Sequence, residues 1–141
     1  MHHPRQKDPR IICIDTALSL PDADQIAGGT LRITLHPAAV ARCERAHGRL
    51  QTAIAEQRHI YGLTTGFGPL ANRLVSQRDG QVLQQNLVHH LASGVGPTYG
   101  WRAARAMVLA RLMSILQGVS GASSGAIDAL VTVLNSDLAP V

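Results

Sequence analysis

The sequence predicts a mainly α-helical chain with a small strand-bearing cap near its N-terminal end. Three observations carry this. Long stretches space their apolar residues by three or four, the repeat of one helix face. Leu31-Arg32-Ile33-Thr34-Leu35 instead alternates apolar and polar side chains with period two, as a strand with one buried face does. Glycine and proline clusters punctuate these stretches where turns are needed.

Residues 1–10 are polar and charged and read as a disordered leader, with a single domain expected over 11–141. Ile11-Ile12-Cys13-Ile14 is short, apolar and β-branched, and predicts a brief strand. Pro21-Asp22-Ala23-Asp24 has the acidic, proline-bearing look of a helix start, and Gly28-Gly29 ends that helix. His36-Pro37 breaks the strand over 31–35. A helix is then expected from Pro37 to about Arg58, along Val40, Cys43, Ala46 or His47, Leu50, Ile54 and Gln57. Residues 61–69 hold three glycines and a proline and predict a loop. The next helix is expected from about Asp79 to Leu91, with Val82, Leu83, Leu87 and Leu91 on its apolar side, stopped by Gly94-Val95-Gly96-Pro97. The stretch from Trp101 to Gln117 is apolar nearly all round and predicts a buried helix that needs partners beyond a chain of this size. Gly118 stops it. Ser123 or Ser124 can cap a last helix to about Leu134.

Composition narrows the function classes. No apolar run reaches the ~18 residues of a membrane span, and the first residues lack a secretory apolar core, so a cytoplasmic protein is expected. Cys13 and Cys43 form no metal-ligand spacing and read as inert, buried or half-buried thiols. The net charge of +4 does not mark a nucleic-acid binder, because the basic residues are scattered and there is one Phe for base stacking. Arg42, Arg45 and Arg49, with Glu44 and Glu56, read as a solvated helical face.

The most specific segment is Tyr61-Gly62-Leu63-Thr64-Thr65-Gly66-Phe67-Gly68, a tyrosine beside a loop whose glycines permit close backbone approach. It resembles the Tyr-Gly-x-Asn-Thr-Gly-Phe-Gly signature of the histidine and aromatic amino acid ammonia-lyases, with Thr64 where many members have Asn. Leu83-Gln84-Gln85-Asn86-Leu87 and the turn at Gly94-Val95-Gly96 are similar to a second family stretch. Arg105-Ala106-Met107 through Gly118-Val119-Ser120-Gly121 are similar to a third, and Leu134-Asn135 and Pro140 resemble the approach to the catalytic loop. The matches run in family order from about Thr30 to Val141.

The resemblance implies the N-terminal portion of a helical-bundle lyase. In this family an internal Ala-Ser-Gly becomes a methylidene-imidazolone (MIO), the electrophile, in a loop expected beyond residue 141. Ala92-Ser93-Gly94 is the one such tripeptide here, but it sits at the end of the 79–91 helix with no Asp after it and reads as a decoy. The chain alone is therefore expected to be inactive.

Eliminating ammonia from an α-amino acid needs a base for the weakly acidic β-hydrogen, and the resemblance gives that role to Tyr61. A free tyrosine is only ~0.1% ionised at pH 7, so N–H groups of the glycine loop are expected to support its anion. Gly68 is expected at the substrate, in a loop able to act as a lid. His90-Leu91 aligns with the pair that varies with substrate: Ser-His in histidine lyases, Phe-Leu in phenylalanine lyases, His-Leu in tyrosine lyases. An imidazole can bond a phenol hydroxyl, and Leu91 supplies apolar contact. His89, about 100° away on a helix, is a further candidate, while His36, His47 and His59 read as exposed or satisfied residues. The implied activity is conversion of L-tyrosine to p-coumarate, with L-phenylalanine to cinnamate as a second reaction, in a cytoplasmic homotetramer with no nucleic-acid or membrane partner. The alternatives are a histidine ammonia-lyase, an MIO aminomutase and, from another class, a non-catalytic self-associating helical module.

Overall fold

The computed structural model describes residues 10–140. The leader expected over 1–10 lies outside them except for Arg10, which already belongs to the first strand. The elements are β1 (Arg10–Ile14), α1 (Leu20–Ala27), β2 (Leu31–Leu35), α2 (Pro37–Ala55), a 3-10 turn (Gly68–Leu70), α3 (Gln77–Leu91), α4 (Trp101–Leu116) and α5 (Ser124–Asn135). The chain is thus mainly helical, with its strands at the N-terminal end. It divides into two compact units. A discontinuous unit combines the residues up to His47 with those from Thr98 onward, and a continuous unit comprises Gly48–Pro97.

In the discontinuous unit, β1 and β2 pair in parallel with Ile12 opposite Ile33. A parallel pair needs a crossover connection, which α1 supplies. The Ser19 hydroxyl starts α1 by accepting the Asp22 N–H at 3.2 Å. The period-two pattern of β2 is realised, with Leu31 and Ile33 buried and Arg32 and Thr34 exposed. Ile14, Ile26, Leu31 and Ile33 meet Leu112 and Leu116 of α4 and Leu134 of α5 in one core. Each such fully buried side chain contributes roughly 1.5–3 kcal/mol.

Two parallel strands leave an open edge on β2, and an unpaired buried edge is costly. Asn135 closes it. Its side-chain amide accepts the Ile33 N–H and donates to the Ile33 carbonyl, both at 2.8 Å, in the manner of a third strand. The last residue of α5 therefore fixes the distance between that helix and the sheet.

α4 buries one side, through Ala104, Arg105, Val108, Leu109, Leu112, Ile115 and Leu116. The opposite side, including Ala103, Ala106, Met107 and Ala110, is exposed. The alanines that make the sequence read as apolar all round are largely on this open side. Arg105 is fully buried. Its Nε donates to the Ala27 carbonyl at 3.2 Å. Nη1 donates to Val133, Ser136 and Leu138 at 2.9, 2.7 and 3.0 Å. Nη2 donates to Ile26 and Leu134 at 3.2 and 2.6 Å. The Trp101 ring lies 4.5 Å from the guanidinium carbon. Burial lowers the Arg105 pKa from its ordinary value, and the Asp137 charge opposes that shift.

Two sequence expectations are corrected here. Arg42 is not part of a solvated face. It pairs with Asp15 and donates to the Leu116 carbonyl through Nε and Nη2 at 3.2 and 3.0 Å, closing the C-terminus of α4. Gly118 follows at φ +72°, and a Cβ there would stand 3.2 Å from the Arg42 carbonyl oxygen, so glycine suits this turn. The thiols also differ: Cys43 is buried while Cys13 is exposed. Cys43 donates to the Ile115 carbonyl at 3.4 Å, and burial pushes its pKa up against the pull of Arg42. Cys13 is exposed because the pleat turns alternate side chains of β1 outward.

Arg105→Lys keeps the charge but lacks the planar fork, so several carbonyls lose their donor at roughly 1–3 kcal/mol each. Urea unfolding is expected to show a markedly lower midpoint for Arg105→Lys. Arg111→Lys, at an exposed position of the same helix, should stay within about 0.5 kcal/mol of the parent. Equal midpoints for the two variants would remove Arg105 from this role.

Candidate active site

The sequence-predicted site residues Tyr61, Gly68, His89, His90 and Leu91 all fall in the continuous unit. α2 ends at Ala55, earlier than the periodicity suggests, because Gln57 adopts φ +52°. The Gln57 and Arg58 N–H groups then bond back to Ile54 and Ala53, at 3.0 Å each, and the helix cannot continue.

The loop that follows is organised by two buried threonines. The Thr64 hydroxyl accepts the Ile60 N–H at 2.8 Å and donates to the Arg58 carbonyl. Thr64 thus closes the loop on itself. The Thr65 hydroxyl accepts the Gly62 N–H at 3.3 Å and donates to the Gly66 carbonyl at 3.1 Å. Val75 N–H donates to Thr64 O at 2.9 Å, and Thr65 bridges Leu74, so the loop's return limb is tied down as well.

Tyr61 rises from this base and is 66% exposed. Its ring meets Phe67 edge-on, with centroids 6.0 Å apart at 88°. Its hydroxyl oxygen accepts the Gly68 N–H at 3.4 Å. Gly62 lies beneath at φ +71°, where a Cβ would stand 2.5 Å from the Phe67 ring. Only glycine fits there. At Gly68, φ +54°, a Cβ would meet nothing within 4 Å, so its outer side is open.

α3 begins at Gln77, two residues before the expected start, because the Ser76 hydroxyl caps it by accepting the Asp79 N–H at 3.2 Å. His89, His90 and Leu91 form its exposed last turn. Leu83 and Leu87 of the expected apolar side are half-buried, whereas Val82 is exposed. Among the described residues no hydrogen bond or ring contact joins Tyr61 to His89, His90 or Leu91. The tie between the Tyr61 loop and α3 is Gln84, whose side-chain amide donates to the Gly62 carbonyl. Sequence reasoning marks Gln84 only as part of a motif, and it gives no sign that Thr65 and Gln84 hold one glycine from both ends.

A cavity of about 790 Å³ lies in the same unit, lined by Ile54, Leu63, Thr64, Leu74, Gln81 and Gln84 among others. None of the five candidate residues lines it, and no ionisable side chain does. Ala92-Ser93-Gly94 does not fit the precursor of the electrophile. Ring closure needs the Gly94 nitrogen forced onto the Ala92 carbonyl by its surroundings. Here all three residues are exposed, Ser93 donates to the His90 carbonyl at 3.0 Å, and a Cβ at Gly94 would meet nothing within 4 Å. No group of His, Cys, Asp and Glu among the described residues could hold a metal ion. His47 is satisfied by the Gly121 carbonyl, 2.8 Å from Nδ1.

Residues 18–141 match the family described as aromatic amino acid lyase. The tyrosine ammonia-lyase of Cereibacter sphaeroides is 58% identical over 127 residues, which are 90% of this chain and 24% of that protein. The histidine ammonia-lyase of Gloeobacter violaceus is 33% identical over 125 residues, 89% of this chain and 24% of that protein. The ergothioneine-degrading Ergothionase of Treponema denticola superposes with a TM-score of 0.86 at 25% identity, covering 92% of this chain and 26% of its own. The chain thus spans about a quarter of the length of the curated relatives it matches.

Thr65→Val keeps the shape of the side chain and removes the hydroxyl that receives the Gly62 N–H. The loop should loosen by roughly 1–3 kcal/mol. Hydrogen exchange followed by mass spectrometry is expected to rise over 60–75 in Thr65→Val and to stay at parental rates in Thr65→Ser. Unchanged exchange in Thr65→Val would show that the hydroxyl does not organise the loop.

Proposed function

Because the chain belongs to the aromatic amino acid lyase family, we propose that it carries the base and the ring-recognition residues of an ammonia-lyase acting on L-tyrosine, with L-phenylalanine as a second substrate. The observation that carries this reading is the 58% identity to a tyrosine ammonia-lyase over 90% of the chain. Histidine as substrate is not favoured, since the histidine ammonia-lyase relative reaches 33%.

In the proposed reaction the Cβ–H and Cα–N bonds of tyrosine break and a Cα=Cβ bond forms, giving p-coumarate and ammonia. Tyr61, as phenolate, takes the β-proton. The Gly68 N–H points at the oxygen that carries the charge when the phenol ionises. The open outer side of Gly68 leaves room for the substrate backbone to approach the loop there. The loop around it can serve as a lid, since Tyr61, Gly68, Pro69 and Leu70 are exposed above the threonine-held base. The MIO group, formed from an Ala-Ser-Gly outside residues 1–141, supplies electrophilic activation of the amine as a leaving group.

His90 is proposed to bond the substrate's phenol hydroxyl and Leu91 to contact its ring, with His89 as the control on a different helix face. We further propose a homotetramer, which the exposed Ala103, Ala106, Met107 and Ala110 on α4 support as a close-packing surface. A cytoplasmic location is supported by two free thiols, and no helix among the described residues is long and apolar enough to cross a membrane.

The decisive measurement is substrate choice in the assembled enzyme. With His90→Phe, phenylalanine no longer strands an imidazole, while tyrosine's hydroxyl is left without a partner. Both effects act in one direction, and stranding a buried group costs roughly 1–3 kcal/mol. The ratio of kcat/KM values should therefore move toward phenylalanine by a factor of about ten or more. His89→Phe should move it far less. If neither substitution shifts the ratio, the tyrosine assignment falls. If His89 is the selective residue, the helix register is wrong.

A further inference from the structure

We propose that Gln84 is a positioning residue for the Tyr61 base: from α3 it holds the carbonyl of Gly62, the residue that follows Tyr61, and so sets that base against the ring-contact turn of the same helix. The inference rests on the reading of Tyr61 as base.

The argument starts at Gly62, the residue after Tyr61. Its N–H is held by the Thr65 hydroxyl at 3.3 Å, and its carbonyl is held by the Gln84 amide. Its positive φ leaves no room for a side chain against Phe67. The constraints from Thr65 and Phe67 lie within the loop and can move with it. The Gln84 bond ties the Gly62 carbonyl, on the Gly62–Leu63 peptide, to a regular element across 22 residues of sequence.

Gln84 sits in the middle of α3 (Gln77–Leu91), half-buried against the loop. Leu91 lies seven residues on, two helical turns away on nearly the same stripe. A two-turn step along a helix is about 10.5 Å. One helix thus bears both the anchor of the residue next to the base and the residue proposed to touch the substrate ring. A loop held only by its own bonds would leave the base free to drift relative to that ring. Misplacing a reacting group by about 1 Å can cost on the order of 10²-fold in rate. Glutamine has the right chemistry for this anchor, because its neutral amide donates to a carbonyl without placing a charge near the phenolate.

The experiment uses the assembled, electrophile-bearing enzyme and four variants: Gln84→Met, Gln84→Glu, Tyr61→Phe, and Tyr61→Phe with Gln84→Met. Gln84→Met keeps length and loses the donor. Its kcat should fall by about tenfold or more, up to the order of 10²-fold, with KM near the parental value. In the Tyr61→Phe background the same change should have almost no further effect, because Gln84 acts through Tyr61. Gln84→Glu repels the Gly62 carbonyl when ionised and can donate when protonated. Its kcat relative to wild type should therefore rise as pH falls toward the carboxyl range, about 4.3 for a free glutamate. Hydrogen exchange at the Gly62 and Leu63 amides should accelerate in Gln84→Met independently of activity.

The proposal is overturned if Gln84→Met is folded and keeps parental kcat while Tyr61→Phe is crippled. It is also overturned if the effects of Gln84→Met and Tyr61→Phe simply multiply. If Gln84→Met fails to fold, a pH-independent activity ratio for Gln84→Glu overturns it instead. Parental kcat in Tyr61→Phe would remove the base reading itself, a distinct result.

Discussion

The guanidinium of Arg105 is the constraint on which the discontinuous unit depends. α1 and α5 both end without a basic residue in the last turn, and the last carbonyls of a helix have no intrahelical donor. Arg105, from the first half of α4, reaches Ile26 and Ala27 at the end of α1, Val133 and Leu134 at the end of α5, and Ser136 and Leu138 beyond it. The partial negative charge of two helix C-termini converges on one buried cation. The cost of burying a charge is offset here by carbonyl dipoles rather than by a bonded carboxylate. Five N–H donors in a fixed plane can serve this many carbonyls, and no other side chain can. Arg42 does the same for α4 through Leu116. All three helices thus take their C-terminal positive charge from other elements: Arg105 ties the ends of α1 and α5 together and directs the chain through 136–138, and Arg42 ties the end of α4 to α2.

The continuous unit is held differently. Among the described residues the buried hydrophobic side chains lie in the discontinuous unit, and within Gly48–Pro97 the buried polar side chains are Thr64 and Thr65. Hydroxyls, a glutamine amide and backbone bonds hold the Tyr61 loop in place of an apolar core. Structure maintained this way opens at low free-energy cost, and mobile catalytic loops come from that end of the stability range.

Local patterns are legible in the sequence. The alternation over 31–35, the break at Pro37, the apolar repeat before Gly118 and the serine ahead of α5 each act within a few residues and appear in the structure where expected. Long-range polar bonds are not legible. Asn135 meets Ile33 across 102 residues, and Arg105 meets Ile26 across 79, so neither leaves a periodic trace. The end of α2 escapes the sequence because periodicity continues through Gln57 while its backbone turns left-handed. In the candidate site, the glycine-rich octet announces a close-packed loop, and the Tyr61–Gly68 hydrogen bond lies within it. The hold of Thr65 and Gln84 on Gly62 emerges only once the chain is folded.

On the proposed reading, Tyr61 is the base of a tyrosine-acting ammonia-lyase. A chimera in which residues 18–141 replace the matching quarter of the Cereibacter sphaeroides tyrosine ammonia-lyase can be assayed for p-coumarate released from tyrosine. The chimera should reach parental assembly size, form p-coumarate and lose that activity when Tyr61 is replaced by Phe. A correctly assembled chimera that is inactive with Tyr61 in place, or one that turns over tyrosine equally well without it, would contradict the claim.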